Sequence, residues 1–302
     1  MMDTINYKHT ILFFNFCILV SPVSFILSHE PVLICLFLIL ILGISHGALD
    51  NIKGKRLLNI FGLRSVSLFY FTYLSISILI IILWLNFPNS VLLLFLIVAA
   101  YHFGKEDTVF SFKRKYFLSE ILFFLKGSAV IVSPLLFHKY ETNEIFRILN
   151  FDFFEKEFLS DELLAIFLFL SLISSLYISK GKNNNFKVIM IMDFISLIIL
   201  NFFLTPVLAF TIYFCFLHSV RHSITLIFNL NKSFKLGFKN FLVKAIPLTF
   251  VTGLSFLLTI YFLNNFYQLD EAIYKVIFIG LASLTFPHIL LEYFLEKNEK
   301  RT

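Results

Sequence analysis

His218 and His222 lie four residues apart in Phe214-Cys215-Phe216-Leu217-His218-Ser219-Val220-Arg221-His222, inside a long apolar run. On a helix that spacing puts both imidazoles on one face with Cβ atoms roughly 5–6 Å apart. Two nitrogens so placed suit one shared metal ion. Ionisable groups at membrane depth are costly unless they face the protein interior, so the rings and the Arg221 guanidinium mark a functional site. Three more histidines stand in similar settings: His46 in Ser45-His46-Gly47-Ala48-Leu49-Asp50, His102 in Tyr101-His102-Phe103-Gly104, and His288 in Pro287-His288-Ile289. Each has an acid four residues on, namely Asp50, Glu106 and Glu292. Those acids are placed to ligate, to orient an imidazole through its second nitrogen, or to mark the membrane interface. Asp193 and Lys126 reach a similar depth, and Asp193 can pair with Arg221 or hold a ligand histidine. Tyr101 and Tyr213 serve either core packing or hydrogen bonding to a substrate or bound oxygen, and Gly43, Gly47 and Gly104 allow close helix approach beside the rings.

The elements that carry these residues follow from composition. Of 302 residues, 59% are hydrophobic and 15% charged, with a mean hydropathy of +0.87. Apolar runs of about 20 residues between short charged loops define an all-α polytopic transmembrane bundle. The runs are too long and too uniformly apolar for barrel strands. Ten spans are expected, at 10–28, 31–49, 66–87, 90–110, 117–137, 162–179, 187–204, 206–229, 241–263 and 272–295, in one integral-membrane domain covering 1–302. Pro31, Pro88 and Pro206 mark tight turns. Alternate loops hold 19 of the 25 basic residues, while Glu141, Glu144, Asp152, Glu155, Glu157, Asp161, Glu162, Asp270 and Glu271 gather in the others. By the positive-inside rule both termini are cytoplasmic, and the first segment reads as an uncleaved helix. Residues 145–154 read as a short interfacial helix. The net charge of +6 is accounted for by loop placement and needs no nucleic-acid partner. Cys17, Cys35 and Cys215 lie in spans without C-x-x-C spacing and read as small buried hydrophobes.

On this map the second, fourth, eighth and tenth spans run from outside to inside, and their five histidines lie 12–16 residues from the outer ends. At about 1.5 Å per residue they share a layer roughly 18–24 Å down, in the cytoplasmic half of the hydrocarbon core. Several imidazoles, few carboxylates and no thiolates suit iron, zinc or copper over magnesium or calcium. A site of neutral nitrogens among aromatics in the bilayer is open to dissolved oxygen and lipids, so oxygen chemistry on an apolar substrate, with ferrous iron, is expected. Zinc hydrolysis would need a general base, and no H-E-x-x-H motif provides one.

Through Ser45-His46-Gly47-Ala48-Leu49-Asp50, Tyr101-His102-Phe103-Gly104 with Glu106-Asp107, His218-Ser219-Val220-Arg221-His222 and Pro287-His288, the chain resembles the Brp/Blh family of integral-membrane β-carotene 15,15'-dioxygenases over nearly its whole length. The resemblance implies an enzyme of the cell (inner) membrane that cleaves β-carotene with O2 at its central double bond, at a non-haem Fe(2+), giving two retinals for a microbial rhodopsin. It further implies iron ligands at His46, His102, His218 and His222, and leaves His288 as a fifth ligand, an exchanging ligand or a group behind the ligands. Asp50 and Glu106 are expected behind the histidines, with Tyr101, Asp193 and Arg221 in support. Rival readings are a membrane hydroxylase or desaturase, which typically has denser histidine boxes, a metal-ion transporter, which needs a polar path through the outer half, and a non-catalytic assembly factor for a rhodopsin.

Overall fold

The computed structural model describes residues 2–25, 30–63, 65–109, 117–151 and 160–299; the side chains of Met2, Asp3, Ser24, Phe25, His46, Val109 and Glu299 are not among the described ones. Helices account for almost all of it, and no strand occurs among the described residues. In order they are α1 (Met2–Val20), α2 (Val32–Leu38), α3 (Asp50–Ile60), α4 (Val66–Asn86), α5 (Pro88–Val109), α6 (Phe117–Phe137), α7 (Lys139–Ile148), α8 (Asp161–Ser179), α9 (Asn184–Phe203), α10 (Pro206–Ile212), α11 (Val220–Leu230), α12 (Phe234–Leu263) and α13 (Leu269–Glu299). Pro88 and Pro206 each begin a helix, where the missing N–H has no intrahelical partner to lose. The Glu30 carboxylate caps α10, accepting from the Thr205 hydroxyl at 2.9 Å and from the Val207 and Leu208 amides at 2.9 and 3.0 Å.

Nine helical runs among the described residues are long and apolar enough to cross a membrane. The expected first span differs. Its helix starts at Met2 and ends at Val20, so it takes in Asn6, Lys8, His9 and Thr10, and Asn6 and Thr10 are fully buried. Polar side chains early in the segment lower its hydropathy, and two of them, Asn6 and Thr10, are hidden against protein while Lys8 is exposed. With nine qualifying runs, the sidedness of the two ends rests on loop charge alone. The second span also differs, continuing past residue 49 as one helical run, Val32–Ile60. Lys53, Lys55 and Arg56, expected in a loop, ride on α3. Lys105, likewise expected in a loop, is buried in α5 and paired with Glu296 at 2.8 Å. The short helix expected over 145–154 lies earlier: α7 runs from Lys139 to Ile148, Leu149 and Asn150 form a turn, and Phe153 and Phe154 lie outside the described residues.

Two runs change pitch where the histidines occur. Between α2 and α3 the chain widens to a π-helical turn, Ile39–Gly43, then tightens to a 3-10 turn, Ile44–Leu49, that carries His46. Between α10 and α11 a π-helical segment, Tyr213–Ser219, carries His218. Such bulges re-aim side chains and recur at functional sites. Helices α5 and α6 touch backbone to backbone: a Cβ on Gly104 would come within 1.8 Å of the Phe123 carbonyl oxygen, and one on Gly127 within 1.8 Å of that of Ala100. Small residues thus let the helix bearing His102 seat deeply. Helices α4 and α12 lie at the periphery, with Leu74 and Val251 both 59% exposed on apolar faces suited to lipid.

Candidate active site

Four histidines from α5, the π segment, α11 and α13 converge. The ring of His102 is 5.3 Å from those of both His218 and His288, centroid to centroid, and His222 lies 6.1 Å from His288. His102, His218 and His288 are each at most 5% exposed. His46 sits on the turn beside Gly43 and Gly47, which line the same cavity as His102 and His288; its side chain lies outside the described ones.

Three of the rings are held by an acid from another segment. His288 Nδ1 lies 2.9 and 2.8 Å from the two Asp50 oxygens, His218 Nδ1 lies 3.0 Å from Asp107, and His222 Nδ1 lies 3.1 Å from Glu106. The acids are themselves fixed: Tyr73 donates to Asp50 at 3.1 Å and Tyr213 donates to Asp107 at 2.6 Å. A carboxylate on Nδ1 sets the tautomer with its proton there and leaves Nε2 as the lone-pair donor, the usual arrangement behind metal-bound imidazoles. Ligand atoms of His102, His288 and Glu292 lie within 4.8 Å of one another, as do those of Glu106, His222 and Glu292. This donor set, imidazole nitrogen with carboxylate at the edge, fits a divalent transition ion such as iron or zinc.

Of the acids four residues on, Glu292 stays near its own histidine, 3.8 Å from His288 Nε2, while the other two act elsewhere. Asp50 and Glu106 reach across to His288 and His222. Asp107, which the sequence pattern left without a role, holds His218; its signal was an acid at membrane depth beside Glu106. Lys53 was also missed. Its Nζ is 2.5 Å from Glu292 and 3.4 Å from His222 Nε2, and its position three residues beyond Asp50 on one helical face was the available sign.

Arg221 grips Asp193 through two bonds, 2.6 and 2.9 Å, and donates to Thr10 at 2.8 Å. This buried cluster braces α1, α9 and α11 behind the histidines and lines neither large cavity. The Tyr101 hydroxyl bonds to Glu120 on α6, and Tyr101 lines a cavity on the far flank of His102. Lys126 borders a water-sized void of about 30 Å³ with Asp107, Asp193 and Tyr213.

In front of the rings lies a cavity of about 320 Å³ whose wall includes His102 and His288 and is otherwise mostly apolar. Phe103 and Phe214 belong to that wall and flank His218, with ring centroids at 4.9 and 5.8 Å. Leu74 and Val251 stand at its edge on the peripheral helices. The arrangement offers nitrogen donors to an ion at the side of a mostly apolar slot with lateral access, whose few polar groups besides the histidines are the hydroxyls of Tyr70, Tyr73, Thr249, Thr252 and Thr285.

The profile of a family described as Beta-carotene 15,15'-dioxygenase matches residues 37–296, a range that contains every histidine and acid of this cluster. A protein of that name from uncultured marine bacterium 66A03 is 30% identical over 271 residues, covering 86% of this chain and 92% of that protein. No solved structure matches the chain.

Proposed function

Because the chain belongs to the beta-carotene 15,15'-dioxygenase family, we propose that it cleaves β-carotene with O2 across the central 15,15' double bond, giving two molecules of retinal. The observation that carries this is a cluster of carboxylate-backed imidazoles beside one mostly apolar slot, which His288 and His102 of that cluster line. Non-haem Fe(2+) is the proposed ion, with His46, His102, His218 and His222 as ligands and His288 beside them. When bound, ferrous iron supplies the redox chemistry that O2 needs to react with a closed-shell alkene.

The protein's own residues do the rest. Asp107 and Glu106 keep the Nε2 lone pairs of His218 and His222 aimed inward, and Asp50 does the same for His288. Phe95, Phe103, Phe210 and Phe214 exclude water and press on the faces of a polyene. Gly43 and Gly47 leave room for the chain to pass the ligands. A substrate about as long as the hydrocarbon core, roughly 30 Å, enters sideways from the bilayer of the cell (inner) membrane, and the retinal formed serves a rhodopsin.

His218→Ala or His222→Ala should abolish retinal formation in β-carotene-accumulating bacteria while the protein still inserts. Retinal at the wild-type level from either variant overturns the ligand assignment. A membrane hydroxylase is the second reading; it would yield a hydroxylated, uncleaved product in the same chromatogram.

A further inference from the structure

The π-helical segment Tyr213–Ser219 carries His218, and its wider pitch disturbs the backbone around it. Bonds inside the bulge span five residues where those in the flanking turns span four, so the pairing of carbonyls with amides slips by one at its edge. The Val220 amide, which would serve the Phe216 carbonyl in a regular helix, bonds to the Leu217 carbonyl. The Phe216 carbonyl accepts from a different helix altogether, from His9 Nε2 on α1 at 2.8 Å. A carbonyl can only accept, so the contact fixes the His9 proton on Nε2. His9 Nδ1 meets no hydrogen-bond partner among the described residues, which leaves the Phe216 carbonyl as the polar contact the ring makes.

Helix α1 supplies none of the clustered histidines, yet it grips the run that bears His218 and His222 at two further points. Phe16 lies against the Phe216 ring with centroids 5.2 Å apart. Thr10 accepts from Arg221 at 2.8 Å and donates to Asp193 at 3.3 Å. His9 and Phe16 are two helical turns apart, so one stripe of α1 meets both the carbonyl and the ring of Phe216. Gly43 closes on the same segment at Phe214, where a Cβ would stand 2.5 Å from the ring edge.

We propose that His9 is a positioning residue for the metal site: by taking up the Phe216 carbonyl it keeps the bulge open, and the bulge keeps the His218 ring on Asp107 and beside His102. This deepens the function proposed above and rests on its assignment of His218 to the ion. A backbone carbonyl inside a membrane span must find a donor. Without His9 the ready alternative is for the turn to tighten to ordinary pitch, which rotates the residues beyond it by up to about 100°, one residue step. His218 then leaves the Asp107 carboxylate, 3.0 Å from its Nδ1, and the His102 ring, 5.3 Å away.

The test titrates detergent-purified, full-length protein with cobalt(II), whose visible ligand-field bands report the number and geometry of its donors. His9→Leu fills the space of the ring and donates nothing. It should bind the ion about tenfold more weakly, the lower end of what groups behind metal ligands contribute, and its bands should move the way those of His218→Ala move. His9→Gln, whose amide reaches as far as the ring Nε2, should restore both affinity and bands toward wild type, which packing alone would not do. Wild-type bands and affinity in His9→Leu overturn the proposal, whatever happens to its melting temperature. So does a His9→Gln protein that behaves like His9→Leu. Should His9→Leu not fold, His9→Asn, whose amide stops one carbon short, is read by the same criteria. Identical bands in wild type and His218→Ala sink the assignment of His218 to the ion; bands that move in His218→Ala and stay in His9→Leu sink the role of His9 alone.

Discussion

Asp50→Asn removes a charge while keeping the shape of the group that grips His288 with both oxygens, at 2.9 and 2.8 Å. The asparagine carbonyl can still accept from His288 Nδ1, which turns its NH2 toward Tyr73. The Tyr73 hydroxyl proton then has a second acceptor, the Leu284 carbonyl at 3.2 Å, so the ring stays in place and only anionic support is lost. Loss of such a partner behind a metal-bound histidine costs about 10–100-fold in metal affinity or activity. At about 1.36 kcal/mol per decade that is roughly 1.4–2.7 kcal/mol. Asp50→Ala should lose more, because it also strands a buried imidazole N–H at a further cost of about 1–3 kcal/mol. Iron affinity of detergent-purified protein, measured by chelator competition alongside retinal formation and melting temperature, separates the effects. The Asn variant should melt near wild type and bind iron more weakly; wild-type iron affinity in that variant would refute the claim that Asp50 prepares His288 for the ion.

Other expectations follow from features away from the ion. Arg221→Met leaves the Asp193 carboxylate buried without its bidentate partner, so thermal stability should drop by about 3–5 kcal/mol; adding Asp193→Asn should recover much of it, and a silent single variant would count against a bracing role. Gly127→Ala drives a methyl group into the Ala100 carbonyl, where the space is 1.8 Å; a loss of about 1–3 kcal/mol or more is expected, and an unchanged melting curve would mean that α5 and α6 do not cross so closely. Burial pushes the Glu30 carboxyl above its ordinary value, against the hydrogen bonds from Thr205, Leu208 and Val207 that pull it down. Its folded pKa exceeds its unfolded one, so its contribution to stability is fully present below the ordinary carboxylate range and declines as pH rises through the folded pKa. Melting temperature against pH should therefore show a falling component over that window in wild type that Glu30→Gln lacks, and identical profiles would remove Glu30 as its source.

The chain's own order of residues determined the class of the molecule and the height of its chemistry. Apolar runs of bilayer length leave helices as the economical way to satisfy every backbone group in lipid. A constant rise per residue then put His102, His218, His222 and His288 at one depth, where their rings meet. What the linear pattern did not contain was which acid serves which ring. It placed an acid four residues after His46, His102 and His288 and left open which ring each would serve; Asp50 serves His288, Glu106 serves His222 and Asp107 serves His218. The reason is geometric: the two nitrogens of an imidazole lie on different edges of the ring, so a histidine aimed inward from one helix offers its other edge to a neighbouring segment. Lys53 and Lys105 show the same limit, since their charge marked them for a loop while tertiary packing supplied the carboxylates that let Lys105 be buried and Lys53 half-buried. The cavity in front of the rings is likewise decided only in three dimensions, because its wall is assembled from residues as far apart in the chain as Gly43 and His288.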